Sequence, residues 1–362
     1  MQTVEVTPMP LDRRPLSREE LRQVIEGRGS AFRVPLMIHF WVTPSAFGER
    51  QGAVERILDA YPSDMQDLWF KIPAVYDAPA DDPSYRWSWK DAADKRAALD
   101  NAGFIDEWED ELEPLLADFP SADYPGLTAD NPPEDGRYRL GCWWYFFFER
   151  FWSVRGMENA LTDFYEYPDE VHALFRKLTD FYLRMIERGK RELNLDGIFT
   201  SDDLGTQSST FFSVRIFREF FAPYYKEIID RVHELGMHFW LHTCGNIEAF
   251  LPEFIDLGID VLHPIQKYTM EEKRIAGAFG DKIAIWSGFD VQQTIPYGTP
   301  EEVRREVRFL IDTYARRDGR FMLTLGNGAT PDTPLESLDA LLDEALRYGA
   351  EVVGRMRPEA AP

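Results

Sequence analysis

The chain has 362 residues, of which 44% are apolar and 28% charged, and its formal net charge is −23. This is the composition of a globular protein, and no run approaches the ~18 consecutive apolar residues of a membrane helix. The negative charge disfavours nucleic acid and anionic membranes as partners, since both would repel it. The first residues lack an apolar signal region and only two cysteines occur, so we expect a cytoplasmic protein without a disulfide framework.

The first part of the chain combines a helix signal with a strongly apolar run. Ser17, followed three residues later by Glu20, has the reciprocal pattern of a capping box and predicts a helix over 17–28. The run 34–41 predicts a first buried strand, with His39 near its end. Further predicted elements are a helix at 51–61 and a short strand at 68–72.

A segment of different composition follows. Residues from about 73 to 136 are rich in Asp, Pro, Trp and Tyr, with one helical patch around Trp108 to Leu116. A structureless loop of this length is uncommon in a compact domain. We therefore interpret the segment as an insertion, whose aromatic residues either form a lid or entrance wall or pack as ordinary core.

Strands and helices alternate in the remainder of the chain. The aromatic run 138–148 predicts a strand that belongs mostly to the core, with one face lining an apolar pocket as the alternative. Long amphipathic helices are predicted over 158–193, and the apolar run that follows them ends abruptly in Asp202 and Asp203. Ser213 and Thr299 are predicted to cap later helices.

Eight strand candidates can be counted, near residues 34, 67, 138, 197, 238, 260, 283 and 321. Their alternation with helices favours an α/β fold, a single (β/α)8 barrel over residues 1–362 with the insertion in its N-terminal third. No GxGxxG loop follows the first strand, which weakens a dinucleotide-binding fold. Barrel strands converge at their carboxyl ends, so one cavity is expected to collect His39, Asp202, Asp203, His242, Cys244, Gln266, Asp290 and Asn327.

The stretch 235–245, LGMHFWLHTCG, carries the strongest chemical signal. His242 and Cys244 are two residues apart at the end of a predicted strand, so alternation directs both side chains to one side. Such a pair is often core packing, but an imidazole and a thiol at a cavity rim also suit metal binding or a nucleophile. Cys142, inside the aromatic run, is expected in the core.

The other polar residues at strand ends have weaker signals. His39 suits a general acid or base, whereas His263, which precedes Pro264, is expected to fix a turn. Only one of two adjacent strand residues points inward, and Asp203 is favoured for contact with substrate or metal. The alternative for the pair of Asp202 and Asp203 is a cap at the strand end that holds the next helix.

Several motifs occur together: SDDLGTQ at 201–207, HTCGNI at 242–247, GFDVQQTIP at 288–296 and PDTPLESL at 331–338. From about Trp152 onward the chain resembles the uroporphyrinogen decarboxylase superfamily, which includes methylcobamide-dependent methyltransferases. The resemblance implies a single (β/α)8 barrel with one of two chemistries. Its decarboxylases use no cofactor and bind tetrapyrrole carboxylates with arginines and an aspartate, while its methyltransferases bind zinc through a His-x-Cys pair and a later cysteine.

The sequence departs from both patterns. The arginine motif of the decarboxylases should fall near Ile38, where residues 38–47 contain no arginine. The late decarboxylase histidine and the third zinc ligand of the methyltransferases both fall on Asn327. The resemblance thus implies a zinc site of His242, Cys244 and a carboxylate from Asp202 or Asp203. The expected catalytic residues are His39 and Asp203, and the expected substrate contacts are Gln266, Asp290 and Asn327.

Three functions are compatible with these residues. The first is zinc-dependent transfer of a methyl group between an acceptor and either a corrinoid or a small methylated compound. The corrinoid would be carried by a separate protein. The second is cofactor-free decarboxylation of a tetrapyrrole or a smaller carboxylic acid. The third is a non-catalytic barrel that binds a corrinoid or tetrapyrrole. An apolar helix face or the aromatic-rich insertion would support a homodimer.

Overall fold

The computed structural model describes residues 12–74, 77–87, 103–128 and 130–356. Within these ranges seven strands form one sheet, in which they lie in chain order. The strands are β1 Met65–Trp69, β2 Tyr138–Trp143, β3 Gly197–Ser201, β4 His238–His242, β5 Val261–His263, β6 Ala284–Phe289 and β7 Phe321–Leu325. The pairings from β2 through β6 are parallel.

Helices separate most of the strands. They are α1 Arg18–Ile25, α2 Gln51–Asp59, α3 Trp108–Ala117, α4 Phe148–Arg155, α5 Met157–Glu166, α6 Pro168–Leu193, α7 Val214–Ile216, α8 Ala222–Glu234, α9 Leu251–Leu257, α10 Glu272–Phe279, α11 Thr294–Tyr297, α12 Pro300–Tyr314 and α13 Leu335–Met356. The predicted α/β class is confirmed, and the chain-order sheet is consistent with a TIM-type barrel. None of the described helices has the length and apolar character to cross a membrane.

The local signals at helix ends are confirmed. Ser17 and Thr299 form capping boxes with Glu20 and Glu302, and the Ser213 hydroxyl accepts the N–H of Ile216. A π-helical turn, Phe217–Phe221, lies between α7 and α8. Pro223, the second residue of α8, has no backbone N–H to donate to the preceding turn. This missing hydrogen bond explains why the turn Phe217–Phe221 is wider than an α-helical turn.

The first predicted strand is wrong over most of its length. Leu36 forms only an isolated parallel bridge with Leu323, and His39–Trp41 is a 3-10 turn. Pro35 has no N–H to offer to a ladder, and the N–H of Leu36 donates to Asp64 Oδ2 at 2.7 Å. Two of the backbone donors that a full strand requires, those of Pro35 and Leu36, are therefore absent or already used.

The described residues cluster in two compact units. One unit combines the residues up to Met65 with those from Trp286 onward, and the other spans Gln66–Ile285. In the second unit, Arg188 of α6 donates to the carbonyls of Ala122 and Tyr124 at 2.7 and 2.8 Å and so fixes part of the predicted insertion. Residues 75–76, 88–102 and 129 of that insertion lie outside the described residues.

A buried ion pair organises the first unit. The guanidinium of Arg33 donates to both carboxylate oxygens of Asp64, at 2.6 and 2.7 Å, and both side chains are fully buried. Asp64 also accepts the backbone N–H groups of Leu16 and Leu36, at 2.8 and 2.7 Å. These four bonds offset the desolvation of the two charges and hold three chain segments together.

We predict that Asp64→Asn lowers the free energy of unfolding by about 3–5 kcal/mol, because the buried Arg33 guanidinium loses its counter-charge. Urea denaturation measures the change. The control is Glu19→Gln, which breaks an exposed ion pair with Arg28 in the same unit and should leave stability nearly unchanged. Equally small effects of both substitutions would contradict the structural role of the buried pair.

Candidate metal and active site

The carboxyl ends of β3, β4 and β5 bring three polar side chains to one level of the sheet. Strand register places Ser201 beside His242, and His242 beside His263. Residues at the same level of neighbouring strands point to the same face. This row of side chains forms one edge of the candidate site.

Asp203 and Cys244 extend this edge from the loops that follow β3 and β4. The backbone N–H of Cys244 donates to Asp203 Oδ1 at 2.7 Å. Gly245 has φ +83°, and a Cβ there would lie 2.3 Å from the backbone of Gly205. Glycine is therefore required for the two loops to approach closely enough to bring the thiol to the carboxylate.

Three atoms of metal-ligand type meet at this point. His242 Nε2 lies 3.4 Å from Cys244 Sγ and 3.5 Å from Asp203 Oδ1, and the three atoms are all within 4.8 Å of one another. In the part of the chain that the structure describes, this is the one group of three such residues. Nitrogen, sulfur and carboxylate oxygen are the ligands that zinc takes, so the side chains fit a zinc ion with one open position.

The protonation of His242 suits metal binding. Its ring is buried, and burial lowers its pKa, although the charge of Asp203 acts in the opposite direction. A histidine must be neutral to coordinate a metal. On its other side, His242 Nδ1 lies 2.7 Å from Nδ1 of the buried His263.

The two adjacent carboxylates have different surroundings. Asp202 is fully buried and accepts the N–H groups of Phe147 and Glu149 at 3.3 and 2.8 Å and the hydroxyl of Tyr225 at 2.6 Å. Burial raises the pKa of Asp202 to about 7, although these donors oppose the shift. The side chain of Asp203 is 40% exposed. The sequence left the metal-binding carboxylate open between Asp202 and Asp203, and the structure brings Asp203 to His242 and Cys244.

A third carboxyl group lies at the start of α4. The hydroxyl of Ser201 donates to Glu149 Oε2, and the N–H of Tyr145 donates to the Ser201 oxygen at 3.1 Å. Burial raises the pKa of Glu149 well above its usual range, and the charges of Asp203 and Asp202 add to the shift. Glu149 is therefore a carboxyl group that retains its proton to higher pH than usual.

Trp144 contributes an aromatic wall. Its side chain is 37% exposed, and its ring lies 5.8 Å from that of His242, nearly perpendicular to it, and 5.3 Å from that of Trp69. The other aromatic residues between 143 and 148 are buried, apart from the partly buried Tyr145. The aromatic run is therefore core, as predicted, except where Trp144 reaches the candidate site.

The remaining predicted site residues have other local contacts. Gln266 Oε1 accepts the N–H of Gly245 at 2.7 Å and so supports the loop that carries Cys244. His39, Asp290 and Asn327 belong to the first unit. His39 Nε2 contacts the carbonyl of Leu58 at 3.2 Å, Asp290 accepts backbone N–H groups at the start of α11, and Asn327 is exposed.

Comparison with known proteins identifies the family. Residues 152–348 match the family model described as uroporphyrinogen decarboxylase (URO-D). The chain belongs to this family. The predicted membership of the superfamily is thereby confirmed.

Relatives of this URO-D family chain include two kinds of enzyme. It is 27% identical to a methylated-thiol–coenzyme M methyltransferase of Methanosarcina mazei over 189 residues, 52% of this chain and 47% of that protein. It is also 27% identical to a uroporphyrinogen decarboxylase of an Anaeromyxobacter species over 196 residues, 52% of this chain and 51% of that protein. The chain thus spans about half the length of these curated relatives.

The fold of this family member also resembles that of a solved protein, a methyltransferase from Methanosarcina mazei. The TM-score is 0.57 at 14% sequence identity, and the match covers 92% of this chain and 99% of that one. At this identity the likeness establishes the shared fold.

Four residues of the site were not among the predicted site residues: Trp144, Glu149, Ser201 and His263. Of these four, His263 had the clearest sequence signal of a site residue, because it is a polar residue at the end of a strand. That strand pairs with the one that ends at His242. Glu149 lies far along the chain from the site residues of β3, β4 and β5, and it is linked to them by the Ser201 hydroxyl and by its own N–H, which donates to Asp202.

We predict that the adjacent carboxylates differ in their effect on stability. Asp202→Ala should lower the free energy of unfolding by about 3 kcal/mol or more at pH 7, because it leaves two backbone N–H groups and the Tyr225 hydroxyl without an acceptor. Asp203→Ala removes one acceptor at a half-exposed position and should cost about 1 kcal/mol. Urea denaturation compares the two, and an equal loss would contradict the assigned division of roles.

Proposed function

We propose that this protein is a zinc-dependent methyltransferase that moves a methyl group between a corrinoid or small methylated compound and an acceptor. The observation that carries the proposal is the meeting of Asp203, His242 and Cys244, whose ligand atoms lie within 4.8 Å of one another. The similarity to a methylated-thiol–coenzyme M methyltransferase supports the same activity class. We further propose that the corrinoid is held by a separate protein.

In this proposal Asp203 supplies the third zinc ligand, in place of the cysteine that the family pattern would have at Asn327. Bound zinc lowers the pKa of a thiol or water in its open position and so supplies a nucleophile near neutral pH. Gln266 holds the Cys244 loop in place through Gly245. The exposed indole of Trp144 limits access of water to one side of His242.

Glu149 is the proposed proton donor of the site. Its raised pKa keeps the carboxyl group protonated to higher pH, and the hydrogen bond from Ser201 fixes one of its oxygens. A role for His39 as general acid or base stays a prediction, as do substrate contacts of Gln266, Asp290 and Asn327. Homodimer formation and a cytoplasmic location stay predictions as well.

We also propose a complete (β/α)8 barrel, as one domain with an insertion at about 73–136, in which residues 34–37 take the place of a first strand. The N–H of Met37 donates to Leu323 O at 3.3 Å, and the N–H of Leu323 donates to Pro35 O at 3.0 Å. The N–H of Asp64, next to β1, donates to Leu36 O at 3.4 Å. These bonds support residues 34–37 as a short eighth strand of the barrel, between β7 and β1.

A cofactor-free decarboxylase is the second candidate. It is supported by the carboxyl groups of the buried Asp202 and the partly buried Glu149, whose pKa values are raised, and by the decarboxylase relative. A neutral carboxyl group in a dry pocket can deliver the proton that replaces carbon dioxide. The third candidate, a barrel that only binds a corrinoid or tetrapyrrole, would release no carbon dioxide from any substrate.

The metal content of protein purified without chelators or metal-affinity tags tests the first candidate. We predict about one zinc ion per chain in the unsubstituted protein and its loss in Cys244→Ala, because that change removes the sulfur ligand. The matched control is Cys142→Ala, which removes the other cysteine. Its thiol is buried and donates to Leu140 O, so the control should retain zinc with a modest loss of stability.

Absence of zinc from the unsubstituted, folded protein, or equal zinc in the Cys244→Ala variant, would contradict the proposed mechanism. Release of carbon dioxide from a panel of carboxylic acids by metal-free protein would then favour the decarboxylase.

A further inference from the structure

The contact between His242 and His263 is not explained by the proposed ligand set. The two Nδ1 atoms are 2.7 Å apart, and both rings are buried, with His263 only 1% exposed. His242 Nε2 points in the other direction, to Cys244 Sγ and Asp203 Oδ1. His242 thus has a different partner at each of its two ring nitrogens.

Two ring nitrogens at 2.7 Å require one proton between them. In a neutral pair, one Nδ1 donates and the other accepts. If His242 donates, its Nε2 has a free electron pair that faces Cys244 and Asp203. If His263 donates, His242 Nε2 carries the proton and is unable to bind a metal.

We propose that His263 is a positioning residue, whose Nδ1 accepts the Nδ1–H of His242 and so directs the unprotonated Nε2 to the metal. This inference rests on the proposed zinc-dependent function. A partner on the second ring nitrogen fixes both the tautomer and the orientation of a metal-binding histidine.

The backbone holds His263 rigidly enough for this role. It is the last residue of β5, and its carbonyl accepts the N–H of Thr243 at 2.8 Å, which fixes the spacing of the two strand ends. Pro264 follows and restricts the backbone of His263. A neutral acceptor also adds no further charge to an edge that already has the carboxyl groups of Asp202, Asp203 and Glu149.

Zinc affinity of the full-length protein, measured by competition with a chromophoric chelator, tests the proposal. We expect His263→Leu to weaken zinc binding by about 10- to 100-fold, because His242 loses its acceptor. His263→Asn places an amide oxygen near the former position of Nδ1 and should restore most of the affinity. The control is His233→Asn, since His233 pairs with Asp260 away from the metal group and its loss should leave the affinity unchanged.

The outcomes separate this inference from the proposed function. Unchanged affinity in a folded His263→Leu variant, beside an unsubstituted protein that binds zinc, would overturn the role of His263 alone. Failure of the unsubstituted protein to bind zinc would overturn both. Failure of the asparagine variant to restore affinity while folded would indicate packing rather than hydrogen bonding, and so would also overturn the role.

Nitrogen-15 NMR of the unsubstituted, zinc-loaded protein tests the same bond without a variant. We expect a proton on His242 Nδ1 and a scalar coupling from it to His263 Nδ1 across the hydrogen bond. A proton on His263 Nδ1 in place of His242 Nδ1 would overturn the proposal.

Discussion

The close approach of two loops, after β3 and after β4, determines the geometry of the candidate site. Gly245 lies against the backbone of Gly205, and this contact brings Cys244 to Asp203. Strand register alone supplies His242 and its neighbours, but it would leave the thiol and the carboxylate in separate loops. The ligand set therefore depends on a backbone contact that any side chain at Gly245 would prevent.

Burial acts on Asp202, Glu149 and His242 in the same direction, since it disfavours their charged forms. It raises the pKa of Asp202 and Glu149 and lowers that of His242. These three groups thus tend to their neutral forms, while the half-exposed Asp203 is the carboxyl group that lies beside His242 and Cys244. The same burial therefore favours a neutral His242, which can bind a metal, and a protonated Glu149, which is the proposed proton donor.

Local patterns predicted those features that depend on neighbouring residues in the chain. Alternation placed His242 and Cys244 on one side, and capping patterns located the helices that begin after Ser17 and Thr299. Alternation did not fix the choice between Asp202 and Asp203. The loop backbone after β3 decides which of the two carboxylates lies beside His242 and Cys244. The contact of His242 with His263 depends on register between strands, which periodicity within a strand does not specify.

The central claim is that one thiolate, one imidazole and one carboxylate hold a zinc ion. X-ray absorption at the zinc edge of the loaded protein measures these ligands directly. We predict one sulfur at about 2.3 Å with nitrogen and oxygen ligands at about 2.0–2.2 Å. Since the chain has two cysteines and Cys142 is buried in the core, that sulfur is Cys244. A zinc ion with no sulfur ligand, or with two, would contradict the account.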